Sequence, residues 1–427
     1  MVRRVVAGDP FLAAELGDKS RGTHLSVSEE RNMFSQSGRK RVVSGVLLGA
    51  AMVMGSGCGP LGNEPGEGGV PLVCDHVDRS ADGEVLVIQG EEITLSGTYR
   101  VSGRQIYDKG QVLTIEPGTV FLMESDSSIL FGWRSDPTTV FAQGTADAPI
   151  LFCGSEDRKG HWQGLQFLTG TTTNSYLEHV RVEDAARGDN YGIATKTDMR
   201  LSNVAVTNGD GTGFGLEGLG AGSSNLVSTE NAGFPAHLVG ESAVNHFPMG
   251  EYMGNGEDLV TVRGLTNTNV VFKNIGIPYQ TTENIIFGRA GGPLTSATFE
   301  AGVEFQFCQD CKMTVGWRSD PGALYVNGTE ENPVIFTSSR DTPRNGDWNG
   351  IELLTGTTSD TEIVHAIFEY GGKSNSANLF IDGGRGFIDH SHFANSSGYG
   401  LLIDRSVPGL TIGENLSFEN NDLGDRN

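Results

Sequence analysis

The stretch Phe-Gly-Trp-Arg-Ser-Asp-Pro at residues 131–137 returns as Val-Gly-Trp-Arg-Ser-Asp-Pro at residues 315–321, 184 positions later. The correspondence extends to Leu-Thr-Gly-Thr-Thr, which occupies residues 168–172 and, after a two-residue insertion, residues 354–358. All four tryptophans lie in the matching stretches, two per copy: Trp133, Trp162, Trp317 and Trp348. A duplication of this length indicates a repeat architecture, so each motif inside it is interpreted first as part of the fold.

Each copy also has a shorter period. Leu177-x-x-Val180-x-Val182 recurs 24 residues later, and Ile363-x-x-Ala366-x-Phe368 recurs 25 residues later at Ile388. The apolar positions alternate with polar ones, and Gly and Asn stand at the intervening corners. This pattern predicts an all-β chain folded as a β-solenoid, with three short strands per turn that pair with the turns above and below.

A resemblance to a known family is carried by residues 112–120, 144–145, 149–152 and 160–165, and in the second copy by residues 332–339 and 346–351. These stretches closely resemble the right-handed parallel β-helix repeats of exported bacterial proteins, in the pectate-lyase-like superfamily. The resemblance covers about residues 90–420 and implies fold more than function, because most such proteins have no assigned activity. The duplication and the shorter periods inside it predict two homologous blocks, residues 76–270 and 271–427, stacked as one solenoid.

The N-terminal region predicts export. Residues 1–32 have no apolar block and are interpreted as an over-extended start, whereas residues 33–57 combine a basic segment with a 13-residue apolar stretch, Val42 to Met54. That stretch is too short to span a bilayer and is typical of a signal peptide. Cys58 then resembles the lipidated cysteine of bacterial lipoproteins, although Gly55 stands where that family usually has Leu, and ordinary cleavage is the alternative. Residues 58–75 are predicted to be a flexible tether, and the predicted location is the outer membrane or cell surface of a Gram-negative-type bacterium.

The formal net charge of −23 excludes nucleic acid and anionic lipid surfaces as expected partners. Ca²⁺ is a possible ligand for so acidic a chain, but the Asp/Gly-rich turns lack the spaced acids of a calcium loop, so no metal site and no other cofactor is predicted. Beyond Cys58 stand Cys74, Cys153, Cys308 and Cys311. The Cys308–Cys311 pair has no second such pair to complete a zinc site. Two disulfides are predicted instead, one local and one joining Cys74 to Cys153.

Catalytic candidates are weak. Residues 387–391, Phe-Ile-Asp-His-Ser, resemble a segment of pectate lyases and make Asp389 and His390 the only candidates. The preceding repeat places Val364 and His365 at the same position, so the repeat pattern explains the segment without a catalytic role. His179 and His365 are equivalent in the two copies, which favours a stacked structural role over a general acid or base.

The repeated Trp-Arg-Ser-Asp motif is the best candidate for a surface function. Trp follows Gly after an apolar run, which places it near a strand end. In one interpretation the ring covers a corner while Arg and Asp bond across the turn. In the other, the ring is a platform for a sugar and the polar groups bind its hydroxyls. The candidate ligand-binding residues are Trp133, Arg134 and Asp136, and in the second copy Trp317, Arg318 and Asp320.

The sequence therefore predicts a surface-anchored β-helix lipoprotein with a binding or scaffolding role. Expected partners are the membrane, through the lipid, and a polysaccharide or surface protein. The carbohydrate ligand is a hypothesis drawn from the resemblance and the candidate aromatic residues. The alternative is a polysaccharide lyase or hydrolase of the pectate-lyase-like type.

Overall fold

The computed structural model describes residues 73–86, 89–133, 137–288, 291–374 and 376–427, without the side chains of Val73 and Ser319. The interpreted over-extended start, the signal peptide, the lipidation site Cys58 and most of the tether lie outside the described residues, as do Arg134 and Asp136. Within the described part, no helix is long and apolar enough to cross a membrane.

The described residues form 36 short strands and one helix of seven residues. The helix, α1, is Gly240–His246, and 3₁₀ turns stand at Val73–His76 and Trp317–Ser319. The strands before α1 are β1 (Glu84–Val85), β2 (Glu92–Leu95), β3 (Thr98–Val101), β4 (Arg104–Tyr107), β5 (Val112–Ile115), β6 (Val120–Met123), β7 (Ser128–Phe131), β8 (Thr139–Gln143), β9 (Ile150–Gly154), β10 (Gly164–Phe167), β11 (Tyr176–Glu183), β12 (Tyr191–Thr195), β13 (Arg200–Thr207), β14 (Thr212–Leu216), β15 (Leu226–Thr229) and β16 (Ala236–Val239).

The strands after α1 are β17 (Gly250–Glu251), β18 (Val260–Arg263), β19 (Asn269–Phe272), β20 (Tyr279–Thr281), β21 (Ile285–Phe287), β22 (Thr295–Glu300), β23 (Glu304–Phe307), β24 (Lys312–Val315), β25 (Gly322–Asn327), β26 (Val334–Ser338), β27 (Gly350–Leu353), β28 (Glu362–Val364), β29 (Ala366–Glu369), β30 (Ala377–Asp382), β31 (Gly386–Asp389), β32 (Ser391–Ala394), β33 (Tyr399–Arg405), β34 (Leu410–Ile412), β35 (Leu416–Glu419) and β36 (Gly424–Arg426).

These strands build the predicted parallel β-helix. Every pairing between the strands is parallel, and each strand pairs with the equivalent strand of the next coil, as Tyr176 of β11 pairs with Arg200 of β13. The strands belong to one sheet of 13 strands that runs from β4 to β35, one of 11 strands in the first block, and two of six strands in the second. The 13-stranded sheet, called the long sheet below, joins both blocks into one solenoid.

The core is a column of stacked side chains. Alternation sends every second residue of a strand inward, and the parallel register places it on its equivalent in the next coil. Phe121 stacks on Phe152 with ring centroids 4.4 Å apart, and in the second block Phe368 stacks on Phe393 at 5.0 Å. Aromatic pairs of this kind contribute about 0.5–1.5 kcal/mol beyond area burial.

The second block is shifted round the solenoid by one face. Residues 120–123 (β6) and 304–307 (β23) are equivalent in sequence, yet β6 belongs to the 11-stranded sheet and β23 to the long sheet. The cause is one short coil. Val260 pairs with Tyr279 after only 19 residues, with β19 alone between β18 and β20, whereas α1 and β17 both stand between β16 and β18. A coil with one strand fewer moves every later strand one face round.

An N-terminal segment is fixed against the outer side of the first block. Cys74 is bonded to Cys153, the bonded pair packs with Leu122 and Leu151, and the Cys74 N–H donates to Glu183 Oε2 at 3.1 Å. Arg79 Nη1 donates to Asp184 Oδ2 at 2.7 Å. Burial raises the pKa of Asp184 despite the opposing hydrogen bonds from Arg79 and the Asn208 amide. The segment therefore covers apolar side chains that would otherwise face solvent.

Candidate functional site

The glycine of each Gly-Trp-Arg-Ser-Asp motif forms a tight corner. Gly132 and Gly316 have φ of 69° and 75°, and a Cβ there would lie 2.1 Å from Thr171 N and 2.0 Å from Thr357 N respectively. The corner is held by the Leu-Thr-Gly-Thr-Thr motif of the next coil. Gly170 N–H donates to Gly132 O at 3.1 Å, and Gly356 N–H donates to Gly316 O at 2.9 Å. The two repeated motifs are therefore partners in one structural corner.

The side chains after that glycine make local contacts. Trp133 and Trp317 are half-buried and Arg318 is exposed. The Arg318 guanidinium carbon lies 5.6 Å from the centroid of the Trp317 ring, so it covers part of one ring face. Asp320 Oδ1 accepts a hydrogen bond from Gly291 N–H at 3.0 Å. In the second copy, Arg318 therefore contacts the ring of its own motif, and Asp320 bonds to the preceding coil.

Trp162 and Trp348 lie in the core. Both are 0 % exposed, and their indole N–H groups donate to the carbonyl oxygens of Glu183 and Glu369, at 2.8 Å each. His161, beside Trp162, is 1 % exposed and contacts Ser155 Oγ at 3.0 Å. Burial lowers the pKa of His161. This corner is structural in both copies.

Asp389 and His390 lie side by side at a corner between β31 and β32. His390 Nδ1 is 3.2 Å from Asp389 Oδ2, and Asp389 Oδ1 accepts from Asn415 N–H at 2.9 Å. Burial alone would raise the pKa of Asp389, but hydrogen bonds from the backbone N–H groups of Asn415 and His390 outweigh it and lower the pKa. The carboxylate is thus tied to the next coil. Among the described residues, no group of three His, Cys, Asp or Glu side chains is placed to hold a metal ion.

Two open grooves occupy equivalent corners of the two blocks. Each lies beside a Gly-Thr loop, at the corner between the first and second strands of a coil. The first groove, about 510 Å³, is lined by Thr114, Ile115, Glu116, Pro117, Gln143, Gly144, Thr145, Ala146, Glu178 and His179. The second groove, about 360 Å³, is lined by Thr329, Glu330, Pro333, His365, Ala366, Ile367, His390, Ser391, His392, Asn415 and Ser417.

An outward aromatic ladder lies beside the first groove. Alternation on β8 and β11 turns Phe141 and Tyr176 outward, where both are half-buried, and their ring centroids are 5.4 Å apart. The Arg200 guanidinium carbon lies 5.0 Å from the Tyr176 ring centroid. Tyr176 Oη donates to Gln143 Oε1 at 3.3 Å, which joins the ladder to the groove wall. Aromatic rings and hydrogen-bonding groups therefore meet at one open surface.

The second groove also has outward aromatic side chains beside it, but they are not neighbours, because Glu362 of β28 stands between Tyr325 of β25 and Phe387 of β31. Tyr325, the equivalent of Phe141, is half-buried on β25, and Phe387 on β31 is 37 % exposed. In the groove wall the rings of His365 and His390 lie with centroids 4.8 Å apart and are tilted by 36° to each other. His392 Nδ1 lies 2.9 Å from Ser417 Oγ. Aromatic side chains and polar groups again share one corner.

The Tyr325 hydroxyl is tied to the surface beside it. Its Oη donates to Asp360 Oδ2 at 2.6 Å, and this hydrogen bond, with burial, raises the pKa of Tyr325 to about 12. Hydrogen bonds from Thr358 and Tyr325 lower the pKa of Asp360. The ring is therefore held in a fixed position on the outer face.

Sequence reasoning missed the outward ladder residues Phe141, Tyr176, Arg200 and Tyr325. The available signal was the alternation of side chains along a strand. Tyr176 immediately precedes the inward Leu177, so its ring must point outward. An aromatic residue at an outward position in both copies, Phe141 and Tyr325, is not required by the core.

Comparison with protein families agrees with this architecture. The family model described as the pectate-lyase like beta helix domain matches residues 87–201 and 266–379, which together are more than half of the chain. Among solved structures, the catalytic domain of a GH87 alpha-1,3-glucanase in complex with tetrasaccharides aligns with 10 % identity and a TM-score of 0.21, over 78 % of this chain and 61 % of that chain. This chain thus spans less than two thirds of that structure. No curated protein matches this chain. The chain belongs to the pectate-lyase like beta helix domain family.

Proposed function

We propose that the protein is a polysaccharide-binding protein of the bacterial cell envelope and that the first groove holds a neutral glycan. The observation that carries the proposal is the outward Phe141–Tyr176 ladder beside a groove wall of Gln143, Glu178 and His179. Sugar rings present both C–H faces and hydroxyls, so aromatic and hydrogen-bonding groups at one open surface suit them. Membership of a pectate-lyase like family is consistent with a carbohydrate-related role.

Charge selects among glycans. The chain carries a formal net charge of −23, and Glu116 and Glu178 both line the first groove. The carboxylates of a polyuronate would be repelled there, whereas a neutral glycan meets no electrostatic repulsion. The proposed ligand class is therefore a neutral polysaccharide.

A glycoside hydrolase is the second candidate, because Glu116 and Glu178 line the same groove. Hydrolysis of a glycosidic bond commonly needs two carboxyl groups, one as acid and one as base or nucleophile. Binding is preferred because Glu178 is already engaged by Arg200, with Nη2 3.5 Å from Oε2.

The test is retention on immobilised neutral polysaccharides and on polygalacturonate, with release of reducing ends measured in parallel. Retention on a neutral polymer without new ends supports binding, and Tyr176→Ala should weaken that retention. Tyr399→Ala is the matched control, because Tyr399 is a half-buried tyrosine of β33, outside both grooves. New ends that disappear in Glu178→Gln would establish the hydrolase instead. No retention on any neutral polymer would refute the proposal.

Export and anchoring are part of the same proposal. The basic and apolar segment before Cys58 supports a lipid anchor at the outer membrane or cell surface. Cys58→Ser should move the protein from the membrane fraction to the soluble fraction. A wild-type protein already found in the soluble fraction would contradict the anchor. Calcium binding and a surface-protein partner stay hypotheses.

A further inference from the structure

The two grooves lie on different edges of the solenoid. The first groove follows β5, β8 and the first half of β11, at a corner that does not touch the long sheet. The second groove follows β25, β28 and β31, at the corner where the chain enters the long sheet through β26, β29 and β32. Equivalent corners have therefore been separated by the one-face shift of the second block.

The grooves are also far apart along the axis. From β10 of the first groove's coils to β29 of the second, the long sheet makes eight strand steps, through β12, β14, β16, β18, β20, β23 and β26. Neighbouring strands lie about 4.8 Å apart, so the axial separation is roughly 38 Å. A straight glycan running along one edge cannot reach the other groove, and neither can one running across the coils.

The chemistry of a glycan site is present at both corners. The first groove combines the Phe141–Tyr176 ladder with Gln143 and Glu178. The second combines the outward rings of Tyr325 and Phe387 with the adjacent imidazoles of His365 and His390. Neutral imidazole both donates and accepts hydrogen bonds, as sugar hydroxyls require.

We propose that the second groove is a second glycan site and that one molecule of the protein cross-links two separate polysaccharide chains. This inference rests on the function proposed above for the first groove. When one site is bound, the second site meets polymer at a raised effective concentration, so the protein stays bound to a polymer network for longer. Two sites on one rigid body also hold neighbouring polymer chains at a fixed spacing. The geometry supplies a bridging role that a single groove cannot.

The experiment is a two-step capture with the full-length protein. Protein is loaded on an immobilised neutral glycan that retains it, unbound protein is washed away, and a soluble fluorescent form of the same glycan is added. The wild type should capture the second glycan. Tyr176→Ala, which removes the first site, and the double variant His365→Asn/His390→Asn, which removes the second, should each remain bound through the other groove but lose capture by at least tenfold.

Two controls separate the possible explanations. Asn occupies the same left-handed corner position at Asn203 and Asn225, so the double variant keeps an allowed backbone. A mixture of the two single-site proteins should not restore capture, because bridging within one molecule needs both grooves in one chain. Restored capture would overturn the inference in favour of self-association. A wild type that is retained but captures nothing would also overturn it and leave the proposed function intact, whereas absence of any retention would sink both.

Discussion

Val260 pairs with Tyr279 in the long sheet, and this pairing joins the two blocks of the duplicated sequence. Tyr279 pairs in turn with Phe305 of the next coil. Phe305 is the equivalent of Phe121, whose own partners Tyr99 and Phe152 lie in the 11-stranded sheet. The second block is therefore not simply the first block translated along the solenoid axis, because its strands are also moved round by one face. Homologous corners face different directions, which is why two similar grooves serve two ligand chains rather than one.

The glycine of the Gly-Trp-Arg-Ser-Asp corner should be indispensable to the fold. Gly132→Ala should cost roughly 2–4 kcal/mol, because it adds both left-handed strain and a backbone clash. Gly110→Ala is the matched control: φ is 82° but nothing lies within 4 Å of the added Cβ, so only about 1 kcal/mol is expected. Urea unfolding measures both. Equal losses for the two variants would show that the contact with Thr171 costs nothing.

The two disulfides should differ in importance. Cys74 and Cys153 are separated by 79 residues, and Cys308 and Cys311 by three. Loop closure in the unfolded chain therefore gives the first about 4 kcal/mol and the second about 2 kcal/mol. Thermal unfolding of Cys153→Ser and Cys311→Ser should show the larger decrease in Tm for Cys153→Ser. The reverse order would mean that the N-terminal segment contributes little to the fold.

His161 should make the first block sensitive to acid. Burial lowers its pKa in the folded state, so below about pH 6.5 the unfolded chain binds a proton that the folded protein does not. Stability from this group is thus present above pH 6.5 and is lost as the pH falls. The decrease in Tm between pH 7.5 and pH 5 should be smaller in His161→Gln than in the wild type. Parallel pH profiles would refute the assignment.

His365 should tolerate Asn but not Val. Its φ is 51°, in the left-handed region where Asn is comparatively frequent and β-branched residues are rare. His365→Asn should leave Tm within about 2 °C of the wild type, because the side chain is only half-buried and a polar exchange near the surface is usually worth under about 0.5 kcal/mol. His365→Val should cost about 1–2 kcal/mol. A Val variant as stable as the Asn variant would show that the corner is not constrained.

Much of the fold was predictable from residues alone. The 24-residue return of Leu177 at Leu201 predicted the strand pairing seen between β11 and β13, and the prediction of an all-β parallel β-helix is confirmed. The one-face shift was not predictable, because it depends on the single strand between Val260 and Tyr279, where the repeat signal is weakest.

The site was less predictable. The near-identity of the two Gly-Trp-Arg-Ser-Asp motifs made Trp133 and Trp317 candidate binding residues. The structure explains much of this near-identity by the close approach of Gly132 to Thr171, which the linear sequence does not reveal. The grooves form between residues from different coils, such as Glu116 and Glu178, and became visible only with the register.

The most direct test of the account is a calorimetric titration of the wild type with a short fragment of the neutral glycan that retains it, long enough to fill one groove. The wild type should bind two fragments per protein molecule. This number should fall to one in Tyr176→Ala and to one in His365→Asn/His390→Asn. Tyr399→Ala should keep two. Binding that is unchanged in both groove variants, or no binding of any neutral fragment, would contradict the claim that these two grooves recognise polysaccharide.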